Sequence, residues 1–245
     1  MQNPKGACLI IGAGDDTGAA IARAFAREGL TACVVRRARH AEALEALAQS
    51  IRDDGGQALA LPADARDEDE MAALIARIEE EVGPIEVAVF NIGANVHFTV
   101  TETTTRVYRK VWEMAALAGF LMGREVATRM LTRERGTIIF TGASASIRGK
   151  AGFSAFSGAK HALRALAQSM ARELGPKNIH VAHTVIDGAI DSGFIREMFP
   201  KVDQMRDEDA ILNPDHIAQN YVMLHNQPRT AWTHELDLRP WKENW

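Results

Sequence analysis

The sequence has little cysteine, little excess charge and no long hydrophobic run. Its 245 residues include only two cysteines, Cys8 and Cys33, which is too few for a disulfide framework or a zinc site. Each lies in an apolar run, so both are predicted to be small buried side chains. The formal net charge is −4, which gives no support for nucleic acid or an anionic membrane surface as a partner.

Targeting and membrane-spanning patterns are also missing from the sequence. The apolar run at residues 7–11 is far too short for a signal peptide or a bilayer span. We therefore expect a cytoplasmic protein that does not bind a membrane. None of the eight histidines has a metal-ligand spacing with another acid or cysteine, so no metal is expected.

Short apolar runs alternate with segments of helical periodicity along the whole chain. This alternation predicts an α/β fold, with a parallel sheet of about seven strands covered by helices on both faces. One doubly wound domain of the Rossmann type is expected over residues 1–245, and a (β/α)8 barrel is the weaker alternative. The predicted strands are 7–11, 31–35, 57–61, 85–90, 137–141, 179–184 and 233–236. The predicted helices are 17–28, 41–52, 68–81, 103–131, 152–174 and 214–224.

A glycine-rich turn joins the first strand to the first helix. Gly12, Gly14 and Gly18 would let the backbone approach a pyrophosphate, and the helix that begins near Thr17 would supply free N–H groups. Any tight turn between a strand and a helix can contain such glycines. The position after the first strand and the small residues that follow favour a phosphate-binding turn.

The spacing Gly-x-Gly-x-x-x-Gly, the chain length and the later motifs resemble the short-chain dehydrogenase/reductase family over roughly residues 5–239. The resemblance implies one Rossmann-type domain that binds NAD or NADP and transfers hydride between the nicotinamide and a carbonyl or alcohol. The family usually has glycine where this chain has Asp16. Asp15 and Asp16 therefore bring two carboxylates near the expected phosphates, and both are suited to cap the helix.

Several residues after predicted strands match cofactor-binding positions of the family. Arg36 and Arg37 follow the second strand, where an arginine suits the 2′-phosphate of NADP and a carboxylate would suit NAD. NADP is therefore favoured, NAD stays possible, and a solvated basic loop is the alternative. The resemblance implies that Asp64 bonds the adenine amino group, although a turn-capping role is plausible. The other implied cofactor residues are Asn91, Gly93, Lys160, Gly188, Ile190 and Ser192.

The catalytic pattern of the family is incomplete in this chain. Its Tyr-x-x-x-Lys motif corresponds to Phe156 and Lys160, and a phenyl ring has no proton to give. The serine of the family falls on Ala143, with Ser144 as a candidate if the loop shifts by one residue. The asparagine of the family falls on Ala116.

The missing tyrosine leaves the proton donor open. The candidates that we consider are Lys160, His97, His161, Tyr108, Ser154 and Ser157. Two hypotheses follow. The first is an NADP-dependent oxidoreductase with altered or impaired proton delivery that acts on a small, apolar carbonyl or alcohol. The second is a catalytically inactive dinucleotide-binding or structural subunit on the same fold.

Two further segments give predictions about the substrate and about subunit contacts. Residues 190–213 are irregular in pattern, and the resemblance implies that they form a lid over the substrate, with an ordinary packed pair of helices as the alternative. If they form a lid, their apolar side chains suggest an apolar substrate. The tryptophan-rich end of the chain includes Trp241 and Trp245, which we expect to pack against a neighbouring subunit. The resemblance implies a homodimer or homotetramer.

Overall fold

The computed structural model describes residues 5–14, 16–198 and 201–243. Across these residues seven strands form one parallel sheet in the order β3-β2-β1-β4-β5-β6-β7, which confirms the predicted doubly wound α/β fold. The strands are β1 (Ala7–Ile11), β2 (Thr31–Arg36), β3 (Gln57–Pro62), β4 (Ile85–Phe90), β5 (Gly136–Thr141), β6 (Ile179–Ile186) and β7 (Glu235–Leu238).

Helices cover both faces of the sheet. The helices are α1 (Thr17–Arg27), α2 (Ala41–Asp53), α3 (Glu68–Glu81), α4 (Thr105–Trp112), α5 (Ala118–Leu131), α6 (Ser154–Leu174), α7 (Gly193–Met198), α8 (Val202–Asp207) and α9 (Pro214–His225). Helices α1, α2 and α9 pack on one face, and α3, α5 and α6 pack on the other. Strand β1 is apolar throughout and β4 is apolar except for Glu86, as expected for central strands that helices cover on both faces.

The two cysteines belong to this core. Cys8 packs on the face of α1, and Cys33 packs on the face of α3. Both are free and buried, as predicted, and burial raises the pKa of the Cys33 thiol to about 12. Neither thiol is therefore available as a thiolate near neutral pH.

The helix starts differ in their capping. The Asp67 side chain accepts a hydrogen bond from Glu70 N and caps α3, and Thr104 caps α4 in the same way. Helix α1 begins after Asp16 without a side-chain cap, so the expected capping by Asp16 is wrong. Its Oδ1 instead accepts a hydrogen bond from Gly193 N, 3.2 Å away, at the start of α7. Asp15, the other expected cap, lies outside the described residues.

Two segments differ from the sequence prediction. The single long helix expected over 103–131 is divided by a π-helical turn, Glu113–Leu117, between α4 and α5. Such turns are often found at functional sites, and this one contains Ala116. The segment expected to be irregular contains two short helices, α7 and α8, stabilised by local backbone hydrogen bonds, as in the alternative of a helix pair. Among the described helices, none is long and apolar enough to cross a bilayer.

Candidate nucleotide and substrate site

A cavity of about 260 Å³ opens at the carboxyl ends of β1 to β4, and we call it the carboxyl-edge cavity. It lies where the strand order reverses between β1 and β4, which is the usual ligand position in open α/β sheets. Its lining contains Ile11, Gly12, Gly14, Val35, Arg36, Arg37, His40, Ala63, Asp64, Ala65, Arg66, Asn91, Ile92, Gly93, Ala94 and Met114. Residues predicted from all four strand ends are therefore brought together.

Two glycines of the first turn allow a close backbone approach. Gly12 has a φ of +88°, and a Cβ there would lie 2.9 Å from the Asn91 carbonyl carbon. A Cβ on Gly18 would lie 2.6 Å from the Gly12 carbonyl oxygen, so α1 packs directly against the turn. A Cβ on Gly14 would meet open space. With α1 lacking a side-chain cap, its first N–H groups near Thr17 can bind an anion such as a phosphate.

Asn91 fixes the geometry of this edge. Its Nδ2 donates to Gly12 O at 3.2 Å, and its backbone N donates to Ile11 O at 2.8 Å. The end of β4 is thereby tied to the end of β1 and to the glycine turn. Gly93 lies on the same cavity wall, and a Cβ there would meet nothing within 4 Å.

Basic side chains line one end of the carboxyl-edge cavity. Arg36 and Arg37 lie there as expected from the sequence, together with His40. Asp64 also lies on this wall, and Arg66 binds its carboxylate with two side-chain hydrogen bonds of 2.9 and 2.5 Å. Sequence reasoning missed Arg66, although its position two residues after Asp64 was a usable signal.

Lys160 lies fully inside the protein at the ends of β4 and β5. Its Nζ donates to Ile92 O at 2.9 Å and to Thr141 O at 2.8 Å. The same Nζ lies 5.9 Å from the centre of the Phe156 ring. Burial lowers the pKa of Lys160 to about 7, because the ammonium ion has lost most of its hydration.

A second cavity, of about 280 Å³, lies beside Phe156, and we call it the Phe156 cavity. Its lining consists of Asn95, Ser144, Ala145, Arg148, Lys150, Phe153, Phe156, Ser157, Asp187, Gly188, Ala189 and Glu243. More than half of these residues are polar or charged, so this wall shows no preference for an apolar substrate. The lid residues that suggested such a substrate include Phe194, Met198 and Phe199, whose side chains lie outside the described part of the chain.

The structure separates the candidate proton donors. Ser144 and Ser157 line the Phe156 cavity, and the Ser157 hydroxyl is buried without a hydrogen-bond partner among the described residues. His97 packs edge-on against Phe153, with ring centres 4.9 Å apart. His161 is exposed on α6, and its Nδ1 lies 2.8 Å from Ser157 O. Tyr108 and Ser154 are exposed, on α4 and at the start of α6 respectively.

The loop after β6 contains the other predicted cofactor residues. Gly188 lines the Phe156 cavity, and Ile190 forms a short bridge with Leu212. Ser192 Oγ accepts a hydrogen bond of 3.3 Å from Ile195 N and so helps to start α7. The nearby Asp191 carboxylate binds two arginines of the lid helices, Arg196 and Arg206.

Sequence reasoning also missed an ion pair next to these residues, between a buried carboxylate and an arginine whose side chain is 43% exposed. Asp187 is 1% exposed, and its carboxylate accepts hydrogen bonds of 3.1 and 2.8 Å from the Arg148 guanidinium. This pair joins the loop after β5 to the loop after β6. Trp241 is 74% exposed in this single chain, and Trp245 lies outside the described residues.

The family model for the short chain dehydrogenase matches residues 7–203. Versicolorin reductase 1 from Aspergillus parasiticus is 31% identical over 207 residues, which cover 82% of this chain and 78% of that protein. The family match therefore includes the glycine turn, Lys160, the whole lining of the carboxyl-edge cavity and all of the Phe156 cavity lining except Glu243.

Solved structures show the same architecture. The crystal structure of a short-chain dehydrogenase from Rhodopseudomonas palustris is 46% identical, has a TM-score of 0.83, and the match covers 98% of this chain and 100% of that one. A metagenomic short-chain oxidoreductase in complex with NADP is 23% identical, has a TM-score of 0.81, and the match covers 98% and 99% of the two chains.

Proposed function

Because this chain belongs to the short chain dehydrogenase family, we propose that it is an NADP-dependent oxidoreductase for a small carbonyl or alcohol substrate. The observation that carries the proposal is the position of Lys160. Its ammonium group bonds Ile92 O on the wall of the carboxyl-edge cavity and faces Phe156 on the wall of the second cavity. Lys160 itself lines neither cavity, but it contacts a wall residue of each, which fits a nucleotide in one cavity and a substrate in the other.

The residues of the carboxyl-edge cavity fit a dinucleotide. The glycine turn and the uncapped start of α1 suit a pyrophosphate, and Lys160 would hold the ribose hydroxyls next to the nicotinamide. Arg36 and Arg37 would lie near a 2′-phosphate, which favours NADP over NAD. When bound, the nicotinamide supplies or accepts the hydride. Gly188, Ile190 and Ser192 are proposed to form its pocket.

We further propose that Lys160 Nζ provides the proton for the substrate oxygen, directly or through water. Phe156 has no acidic proton, and Lys160, with its pKa lowered to about 7, is an effective acid near neutral pH. Ser144 lines the Phe156 cavity and would bind the substrate oxygen by a hydrogen bond. The reduction rate should therefore fall as the pH rises above about 7, because Lys160 then loses its proton.

One observation favours a second function, that of a dinucleotide-binding subunit without catalysis. Phe156, Ala143 and Ala116 stand at the three positions where the family has its tyrosine, serine and asparagine. Both proposals predict that the protein binds the dinucleotide. The oxidoreductase should also turn over a carbonyl substrate, whereas the inactive subunit should not.

The first experiment is a fluorescence titration of the purified protein with NADPH and, separately, with NADH. Micromolar affinity for NADPH and weaker affinity for NADH support the nucleotide site, whereas binding of neither cofactor contradicts both proposals. NADPH oxidation is then followed with a panel of aldehydes and ketones. Turnover that falls above pH 7 supports the oxidoreductase, and binding without turnover on the panel supports the inactive subunit.

A further inference from the structure

The Asp64 carboxylate is engaged by its own loop. Its Oδ1 accepts hydrogen bonds from Arg66 N and Nε at 3.1 and 2.9 Å, and its Oδ2 accepts one from Arg66 Nη2 at 2.5 Å. A bidentate pair of this kind fixes the plane of the guanidinium as well as its position. The side chains of Asp64 and Arg66 are 29% and 30% exposed, so the pair stands in the cavity wall and not in open solvent.

Arg37 and Arg66 both line the carboxyl-edge cavity, and the charge of Arg66 acts on Arg37. Arg36 lines the cavity as well. Among the described residues, the lining therefore contains three arginines and only one carboxylate, that of Asp64. Partial burial, followed by the charges of Arg39 and Arg66, lowers the pKa of Arg37. The hydrogen bonds to Asp64 raise the pKa of Arg66. The two guanidinium groups therefore repel each other, and a dianion between them would relieve that repulsion.

We propose that Arg37 and Arg66 form a two-guanidinium clamp for the 2′-phosphate of the nucleotide, and that Asp64 is the positioning residue that orients Arg66. This inference rests on the proposed function, because it concerns the NADP of the same site. It replaces the role that the family resemblance implies for Asp64, which is a hydrogen bond to adenine. Selectivity for NADP over NAD then depends on residues from two loops, after β2 and after β3.

The two roles of Asp64 predict different responses to substitution. Adenine is common to NADPH and NADH, so an adenine ligand contributes equally to the binding of both cofactors. A clamp for the 2′-phosphate contributes only to NADPH. The dissociation constants of both cofactors, measured on the same variants, therefore distinguish the roles without any measurement of activity.

The test is a titration of Arg66→Met, Arg66→Lys and Asp64→Ala with NADPH and NADH, followed by nucleotide fluorescence. For Arg66→Met we expect NADPH to bind at least tenfold more weakly and NADH to change less than twofold. The NADPH affinity of Arg66→Lys should lie between those of the native protein and Arg66→Met. Lysine keeps the positive charge but lacks the planar guanidinium that can form two parallel hydrogen bonds. For Asp64→Ala we expect unchanged NADH affinity. Arg77→Met is the matched control, since Arg77 makes a similar carboxylate pair with Glu81 on the exposed face of α3.

Two results would overturn the clamp. One is an Arg66→Met protein that keeps the full preference for NADPH, and the other is an Asp64→Ala protein that binds NADH tenfold more weakly. Both leave the proposed function intact if the native protein binds NADPH. If the native protein binds neither nucleotide, the proposed function itself fails. Circular dichroism of each variant confirms that a loss of binding is not a loss of folding.

Discussion

Phe156 differs from a tyrosine by a single hydroxyl group, yet that group decides how a proton can reach the substrate. The ring is 8% exposed, lines the second cavity and lies near the Lys160 ammonium. The ammonium group that would favour the phenolate form of a tyrosine is therefore nearby, although the phenol is absent. This arrangement makes the residue a sensitive test of whether the rest of the site is assembled.

Phe156→Tyr should increase carbonyl reduction at least tenfold. General acid catalysis typically contributes a factor of ~100 to 10,000, and the absence of the serine and asparagine would reduce that gain. The measurement is the rate of NADPH oxidation with the ketone panel. Phe153→Tyr is the control, since Phe153 lines the same cavity. An unchanged rate in Phe156→Tyr would contradict the view that only the hydroxyl is missing.

Lys160→Met should weaken NADPH binding at least tenfold and raise the thermal stability of the apoprotein. Burial lowers the pKa of Lys160 to about 7, so between that pH and about 10.4 the unfolded chain binds more protons than the folded one. The cost of the buried ammonium is therefore complete below pH 7 and decreases as the pH rises. The increase in Tm should be larger at pH 6 than at pH 9.

Thermal denaturation at the two pH values and the NADPH titration measure both effects. Lys177→Met is the control, because Lys177 is an exposed lysine that lines neither cavity. Equal increases in Tm at pH 6 and pH 9 would contradict the assigned protonation of Lys160.

At the scale of elements, the site depends on contacts between loops that are distant in sequence. The Arg148–Asp187 pair joins residues 39 positions apart, and Arg239 reaches the same carboxylate from beyond β7 at 3.9 Å. The loops after β5, β6 and β7 are therefore held together by one buried carboxylate. The glycine turn before α1 and the π-helical turn before α5 both contribute to the carboxyl-edge cavity, through Gly14 and Met114, where we propose that the nucleotide binds.

Arg148→Met should lower the free energy of unfolding by about 1 to 3 kcal/mol, because it leaves a buried acceptor without its main partner. Urea denaturation measures this change. The control is Arg135→Met, whose more exposed pair with Glu86 should contribute less than about 1 kcal/mol. Further substitution of Asp187 by asparagine should recover part of the loss, since no charge then stays buried. A loss in Arg148→Met no greater than in the control would contradict a structural role for the pair.

At the scale of the whole molecule, several large aromatic side chains are exposed to solvent in the single chain. Tyr108, Trp112 and Phe120, which lie on α4 and α5, are 46%, 43% and 42% exposed. Tyr108 and Trp112 are four residues apart and so share one face of α4. Exposed aromatic side chains are enriched at protein interfaces. We therefore keep the prediction of a homodimer or homotetramer and place its contact on α4 and α5.

Trp112→Asp should shift the protein towards a smaller species in sedimentation velocity, because a carboxylate at an apolar interface is costly to bury. Met223→Asp on α9, where the side chain is 42% exposed, is the control and should leave the mass unchanged. A native protein that sediments as a monomer would contradict the predicted assembly. Trp241, expected at a subunit contact, gives a separate probe through its intrinsic fluorescence on dilution.

The sequence by itself determined the parts of this protein that depend on local periodicity. The alternation of strands and helices is set by which faces of each segment are apolar, and the glycine turn is set by where a Cβ cannot fit. The family and the identity of Lys160 also follow from short motifs with fixed spacing. Asp64 and Arg66 are also close in sequence. A motif predicts which residue type occupies a position, but it does not show which partner the side chain of that residue will bind.

Only the tertiary structure decided the surroundings of these motifs. It placed Arg148 against Asp187, and it gave the Phe156 cavity a polar wall from four separate loops and the start of α6. It also buried Lys160, whose Nζ donates to two carbonyl oxygens, and this burial lowers its pKa. These properties depend on burial and on contacts between distant segments. Desolvation and ion pairing act through space, so no local pattern in the sequence determines them.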